Sequence, residues 1–150
     1  MVYTDGGYRF QISAPPGWAI RRGVFDPLMK RLAGRRVKFV PIGQSFPYIW
    51  VRVFDAGGTI NDAGIKQAAL LYVQQRGFPI ITSGAVTVGS ANGFQVTYKN
   101  PAAECCRVLF GKDKTVYAIE LAADSLGDVV TSQTVFFDFM ACVGSWRFLT

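Results

Sequence analysis

The sequence predicts an α+β fold, an antiparallel β-sheet flanked by helices. Three observations carry that expectation. Short alternating or β-branched runs are separated again and again by Gly, Pro and Asn turn signals. One amphipathic helix falls between the strands and a second follows them. The elements do not alternate as βαβ units, so a parallel sheet is not expected.

The first strand, Tyr8-Arg9-Phe10-Gln11-Ile12-Ser13, puts Tyr8, Phe10 and Ile12 on one face and the polar residues on the other. Pro15 and Pro16 end its ladder and Gly17 allows the bend, after which Trp18 to Arg22 reads as a second strand. Asp26 and Pro27 can open a short helix running to about Leu32, closed by Gly34. Arg36 to Val40 alternates as a strand and Pro41 stops it. Tyr48 to Phe54 is β-branched and aromatic nearly throughout, which predicts a central strand with both faces covered.

Gly57-Gly58 turns the chain, and Thr59 or Asn61 can cap a helix running to about Arg76. Its apolar positions are Ile65, Ala68, Ala69, Tyr72 and Val73, and Gly77 with Pro79 ends it. Two hairpins follow. Ala85–Val88 and Phe94–Tyr98 flank a turn at Ser90 to Gly93, and Cys106–Phe110 and Thr115–Leu121 flank a turn at Gly111 to Lys114. Asp124 or Ser125 can cap a last helix, with Asp128 at its positive end. Val129, Phe136, Phe137, Met140 and Val143 form its apolar face, Gly144 ends it, and Ser145 to Leu149 closes the chain in extended form.

At 150 residues, half of them hydrophobic, one domain spanning residues 1–150 can bury a sizeable core. The mean hydropathy of +0.22 raises the question of a membrane span. The apolar run Ala68 to Val73 is far short of the roughly 18 to 20 residues required, and Asp138 interrupts the last helix. Met1-Val2-Tyr3 leads straight into the first strand region, so no signal peptide is expected within this sequence. Met1 is either a native start or stands where a leader was removed, and export is favoured over a cytoplasmic location.

The charge is unevenly placed. Arg21, Arg22, Lys30, Arg31, Arg35, Arg36 and Lys38 stand against Asp26 alone between residues 21 and 38. That surplus equals the +6 of the whole chain. Such a segment is either ordinary solvated surface, with some charges paired to Asp55 or Asp138, or a patch for an acidic partner or anionic surface. Nucleic acid is not expected, because only Phe25 and Phe39 lie among the cations, where stacking readers interleave many aromatics.

Cys105 and Cys106 are adjacent and Cys142 stands alone. Neighbours on a strand point to opposite faces, so one of the pair is expected in the core. A bridge to Cys142 is the sharper alternative, and it needs an oxidising compartment. The chain contains no histidine and no C-x-x-C, so no metal is expected. Without histidine a nucleophilic triad has no ordinary base. Arg107 beside the cysteine pair could lower a thiol pKa, but no second proton-transfer group accompanies it. No phosphate-loop or dinucleotide fingerprint occurs. A non-enzymatic role without cofactor is therefore expected.

The strand Tyr8-x-Phe10-x-Ile12, the corner Pro15-Pro16-Gly17-Trp18 and the closing Ser145-Trp146-Arg147-Phe148 resemble the superfamily of PsbP, DcrB and the Mog Ran-binding proteins. The order of elements between these motifs agrees. The resemblance implies an α/β/α sandwich around an antiparallel sheet. It implies no shared catalytic set, since members include photosystem assembly subunits, a nuclear transport factor and exported bacterial lipoproteins. The photosystem metal site has no counterpart here, and neither has the acidic surface of a Ran-binding member. The expectation is a protein-binding or assembly module. Its candidate recognition groups are the basic segment or the aromatics Tyr3, Tyr48, Trp50 and Trp146.

Overall fold

The computed structural model describes residues 1–22, 34–124 and 130–150. In chain order it holds β1 (Val2–Asp5), β2 (Phe10–Ser13), β3 (Trp18–Arg22), β4 (Arg35–Pro41), β5 (Tyr48–Asp55) and α1 (Asp62–Gln75). There follow β6 (Ile80–Val88), β7 (Ala91–Lys99), β8 (Glu104–Lys112), β9 (Thr115–Ala123), α2 (Val130–Gly144) and β10 (Arg147–Phe148). Seven strands form one sheet in the order β3-β4-β5-β9-β8-β7-β6, and β1-β2-β10 form a second, smaller one. Every pairing is antiparallel. The expected α+β architecture is the observed one.

Two cores lie on opposite faces of the large sheet. On one face Ile65, Ala69 and Val73 of α1 pack with Val96, Tyr98, Leu109 and Ala118. On the other, the small sheet and α2 bury Phe10, Ile12, Phe39, Val51, Phe139 and Trp146. Trp146 is the hub of this second core. It stacks on Phe10 with ring centroids 4.2 Å apart and meets the edges of Phe110 and Tyr117 at 4.7 and 5.3 Å. Trp18 is buried in the same core, as its place at the strand corner predicts. Gly17 has φ +79°, the left-handed backbone that a residue with a Cβ resists.

Several expectations are corrected. Tyr8 is not on a strand. Residues 6–9 form the turn of a hairpin whose first strand is β1, with Asp5 opposite Phe10. Arg9 has φ +59° and Tyr8 is exposed. The alternation of Tyr8, Phe10 and Ile12 resembled a longer strand because Gly6-Gly7 hides a turn whose last residues are not glycine. In the first of the two hairpins expected in mid-chain, Val88 is in register with Ala91, so the turn is Gly89-Ser90. A Cβ on Gly89, whose φ is +58°, would collide with the Trp146 carbonyl, so the turn needs glycine there. In the next, Lys112 pairs with Thr115 and the turn is Asp113-Lys114.

Strand β5 is central, but its two faces differ. Ile49, Val51 and Val53 are buried, while Tyr48, Trp50, Arg52 and Phe54 are only partly covered. On α2, Phe136, Met140 and Val143 face inward as expected, but Phe137 is 71% exposed and Phe139, fully buried, takes its place. Phe136, Phe139, Met140 and Val143 share the inward stripe at helical spacing. Ala68 of α1 is exposed, and Asn61 is the N-cap, accepting the Gly64 N–H at 2.8 Å. The short helix expected from Asp26 and Pro27 to Leu32 lies outside the described residues. So do Ser125, Asp128 and Val129 at the start of the last helix. Among the described residues no helix is long and apolar enough to cross a membrane.

Candidate functional site: an open cationic face

Strand register builds this face before any side chain is considered. Arg21 of β3 is opposite Lys38 of β4, Lys38 is opposite Trp50 of β5, Trp50 opposite Glu120 of β9, and Glu120 opposite Arg107 of β8. Residues directly opposite each other in an antiparallel sheet project to the same side. One straight row of charge and one aromatic ring therefore crosses five strands, on the face that carries α1. The helix sits over β7 and β8. It covers the Arg107 end of the row, with Tyr72 of the helix lying 3.8 Å from the guanidinium carbon.

At that covered end the charges are paired with one another. Glu120 pairs with Arg107 and with Arg52, and its side chain is 12% exposed. At the uncovered end they are not. Arg35 stands over the Trp50 ring at 4.6 Å, and the Lys38 ammonium lies 4.8 Å from the Tyr48 ring and 5.3 Å from Trp50. Cations over ring faces are attracted by the quadrupole. Arg35 faces Arg52 across the strand pair, and its Nε is buried without a hydrogen-bond partner. Partial burial, with Arg52 next to it, lowers the Arg35 pKa. Lys38 is lowered by the same desolvation and then by the positive charges of Arg21 and Arg35. Lys38 thus feels two like charges, Arg21 and Arg35, and none of the three is in salt-bridge contact with an acid among the described residues.

A bulge decides the membership of this group. Between Arg35 and Val37, β4 carries one residue more than β5. In a regular strand Arg36 would share the face of Lys38; the extra residue instead brings Arg35 there. Arg36 turns to the small sheet, where its Nε donates to Asp5 at 2.8 Å and its guanidinium lies over Tyr8. Asp5 is almost fully buried. Burial works against its charged form, but hydrogen bonds from Arg36, from the Tyr8 N–H and from the Tyr3 hydroxyl outweigh it and hold its carboxyl below the ordinary 3.8.

Of the seven basic residues singled out in the sequence, the structure brings Arg21, Arg35 and Lys38 together and assigns Arg36 elsewhere. Its partner is Asp5, in place of the expected Asp55 or Asp138. Lys30, Arg31 and the Arg22 side chain lie outside the described residues. The aromatic candidates divide as well: Tyr3 and Trp146 are core, while Tyr48 and Trp50 belong to the open face. Arg52 was missed, although its place two residues after Trp50 on an alternating strand put it on the same face.

The thiols are not poised for chemistry. Cys105 and Cys106 are both buried, on opposite faces of β8, and Cys142 is buried on the inward side of α2; all three are unbridged. Burial pushes Cys105 up to about 11 and Cys142 up to about 12, and raises Cys106 too. Burial thereby reverses the lowered thiol pKa that Arg107 suggested, and Arg107 itself pairs with Glu120 and lies over Tyr72. Among the described residues no three His, Cys, Asp or Glu side chains gather in a way that could hold a metal ion.

A seven-stranded antiparallel sheet with one helix on each face and a small sheet beside the second defines the PsbP-like α+β fold. The solution structure of cyanobacterial PsbP, CyanoP from Synechocystis sp. PCC 6803, is similar with a TM-score of 0.67, at 13% identity over 99% of this chain and 91% of that one. A crystal structure of a protein from Bacteroides thetaiotaomicron VPI-5482 is similar with a TM-score of 0.55 and 9% identity; this chain spans about half of its length (48%). No protein-family model matches the chain. No curated protein matches it. At these identities the likeness establishes the fold alone.

Proposed function

We propose that residues 1–150 are a non-catalytic binding module that holds an acidic segment of a partner protein against the open face of β3, β4 and β5. The observation that carries this reading is the cluster of Arg21, Arg35 and Lys38 on Tyr48 and Trp50. Lys38 feels the positive charges of Arg21 and Arg35, and none of the three is in salt-bridge contact with an acid among the described residues, so a chain of carboxylates relieves the repulsion as it binds. The aromatic floor holds the cations in place and adds apolar area for the stems of Glu side chains. The PsbP-like fold is consistent with a binding or assembly role. The wider grouping with DcrB and the Mog proteins, and a place outside the cytoplasm, belong to the same reading.

The test is fluorescence anisotropy of a labelled glutamate-rich peptide. Arg21→Gln with Lys38→Gln should weaken binding about tenfold or more, near 1.4 kcal/mol. Lys114→Gln, in the distant β8–β9 turn, should change nothing. Binding should also fall as salt rises, since exposed charges are screened beyond roughly 8 Å at physiological ionic strength. Equal affinity of wild type and the double variant would overturn the proposal. Retention on heparin or anionic vesicles with no affinity for the peptide would move the assignment to an anionic surface.

A further inference from the structure

The other edge of the large sheet differs from the first in charge. Strand β6 is its outermost strand and pairs only with β7; no described strand covers its free side. It reads Ile-Ile-Thr-Ser-Gly-Ala-Val-Thr-Val, nine residues without a charge or a proline. Sheet edges present unpaired N–H and C=O groups, and proteins that stay monomeric blunt them with lysine, proline or a covering element. In β6 the bulge between Ile80 and Thr82 disturbs only the first positions, leaving Thr82 to Val88 in continuous register with β7. Ile80 and Ile81 are exposed at 39% and 52%. On the α1 side an open groove runs along the strand, lined by Ser83, Ala85 and Thr87 and, from the helix, by Asp62 and Lys66. The groove holds one acid and one base, so it adds no net charge.

We infer that β6 pairs with β6 of a second copy of this chain, antiparallel about a two-fold axis, so that the two large sheets become continuous. The location of the charge favours a second copy over a charged partner. The +6 of the chain matches the surplus in residues 21–38, and the described cations of that segment lie on β3 and β4. Those strands are five and six places from β6 in the sheet order. At about 4.8 Å per strand they are roughly 24 to 29 Å from the free edge. That is about three screening lengths at physiological salt, so two copies meeting at β6 hold their basic edges apart. The described cations of that segment therefore do not oppose self-pairing at this edge. An isologous contact also asks of each copy only the surface that the other already has. The pairing leaves the cationic face of both copies open, and it stands whether or not an acidic segment binds there.

Sedimentation equilibrium of the full chain, from roughly 1 μM to roughly 200 μM, covers the range in which weak pairs assemble. The weight-average mass of the wild type should rise from 16.5 kDa towards twice that value. Ala85→Lys with Thr87→Lys places like charges at exposed positions of the edge and should hold the mass at one chain with an unchanged far-ultraviolet spectrum. Hydrogen exchange of the wild type is the second measurement. Amides of Ser83 to Thr87 should be protected more at high concentration than at low, with the edge strand β3 unaffected. A wild type that stays at one chain throughout overturns the inference. So does a folded double-lysine variant that dimerises equally, or β6 exchange that is independent of concentration.

Discussion

Asp5 shows how much one side chain can organise. It is nearly inaccessible, yet it accepts from the Tyr3 hydroxyl on its own strand, from the Tyr8 N–H, which closes the β1–β2 turn, and from Arg36, which ties that hairpin to the large sheet. Its folded pKa is held below 3.8 despite burial, so the charged form carries the stabilisation. That contribution is fully present above the unfolded value and is lost as pH falls through the lower folded one. Asp5→Asn should therefore cost about 1 to 3 kcal/mol at neutral pH. The difference from wild type should shrink below 3.8 and vanish in stronger acid. Urea unfolding at two pH values checks this. A variant as stable as wild type at neutral pH would show that Arg36 and Tyr8 find equal partners in water.

At the scale of elements, α2 and β10 act together. Ser145, between them in the chain, ties α2 to β2, its hydroxyl donating to the Cys142 carbonyl and accepting the Ser13 N–H at 2.8 Å. Strand β10 is only two residues long, so its place depends on Trp146 packed among Phe10, Phe110, Tyr117 and Phe148 more than on ladder bonds. Trp146→Ala should cost about 3 to 5 kcal/mol. Phe137→Ala, one step out of phase on α2, should stay within about 0.5 kcal/mol of wild type. Thermal unfolding of the two variants checks the helix phase, and the expectation fails if their order is reversed. The bulge in β4 is the other decision made at this scale. One inserted residue sends Arg35 to the open face and Arg36 to Asp5.

For the whole molecule, the large sheet separates two cores, and the thiols report on both. Cys105 belongs to the α1 core, while Cys106 and Cys142 belong to the other. All three are buried with raised pKa values, so reaction with a thiol reagent at neutral pH needs an opening of the structure. Native protein should label slowly, and all three thiols should react together as denaturant approaches the unfolding midpoint. Rapid labelling of Cys105 alone in native buffer would show that the α1 layer opens independently of the rest.

The sequence by itself determined what depends on neighbours along the chain. Alternation and β-branching marked β3, β4, β5 and the cores of β7, β8 and β9. Helical spacing with Asn61, Gly77 and Pro79 marked α1, and the absence of βαβ order selected an antiparallel sheet. The cationic segment was equally visible as composition. Only the tertiary structure decided which cations act together, because that depends on cross-strand register and on one bulge, and register is set by pairing partners distant in sequence. It also moved the strand start from Tyr8 to Phe10, where Asp5 closes a turn that alternation could not distinguish from a strand. Likewise it settled which of two phenylalanines of α2 is buried, because Phe137 and Phe139 are equally apolar and only packing against the core separates them.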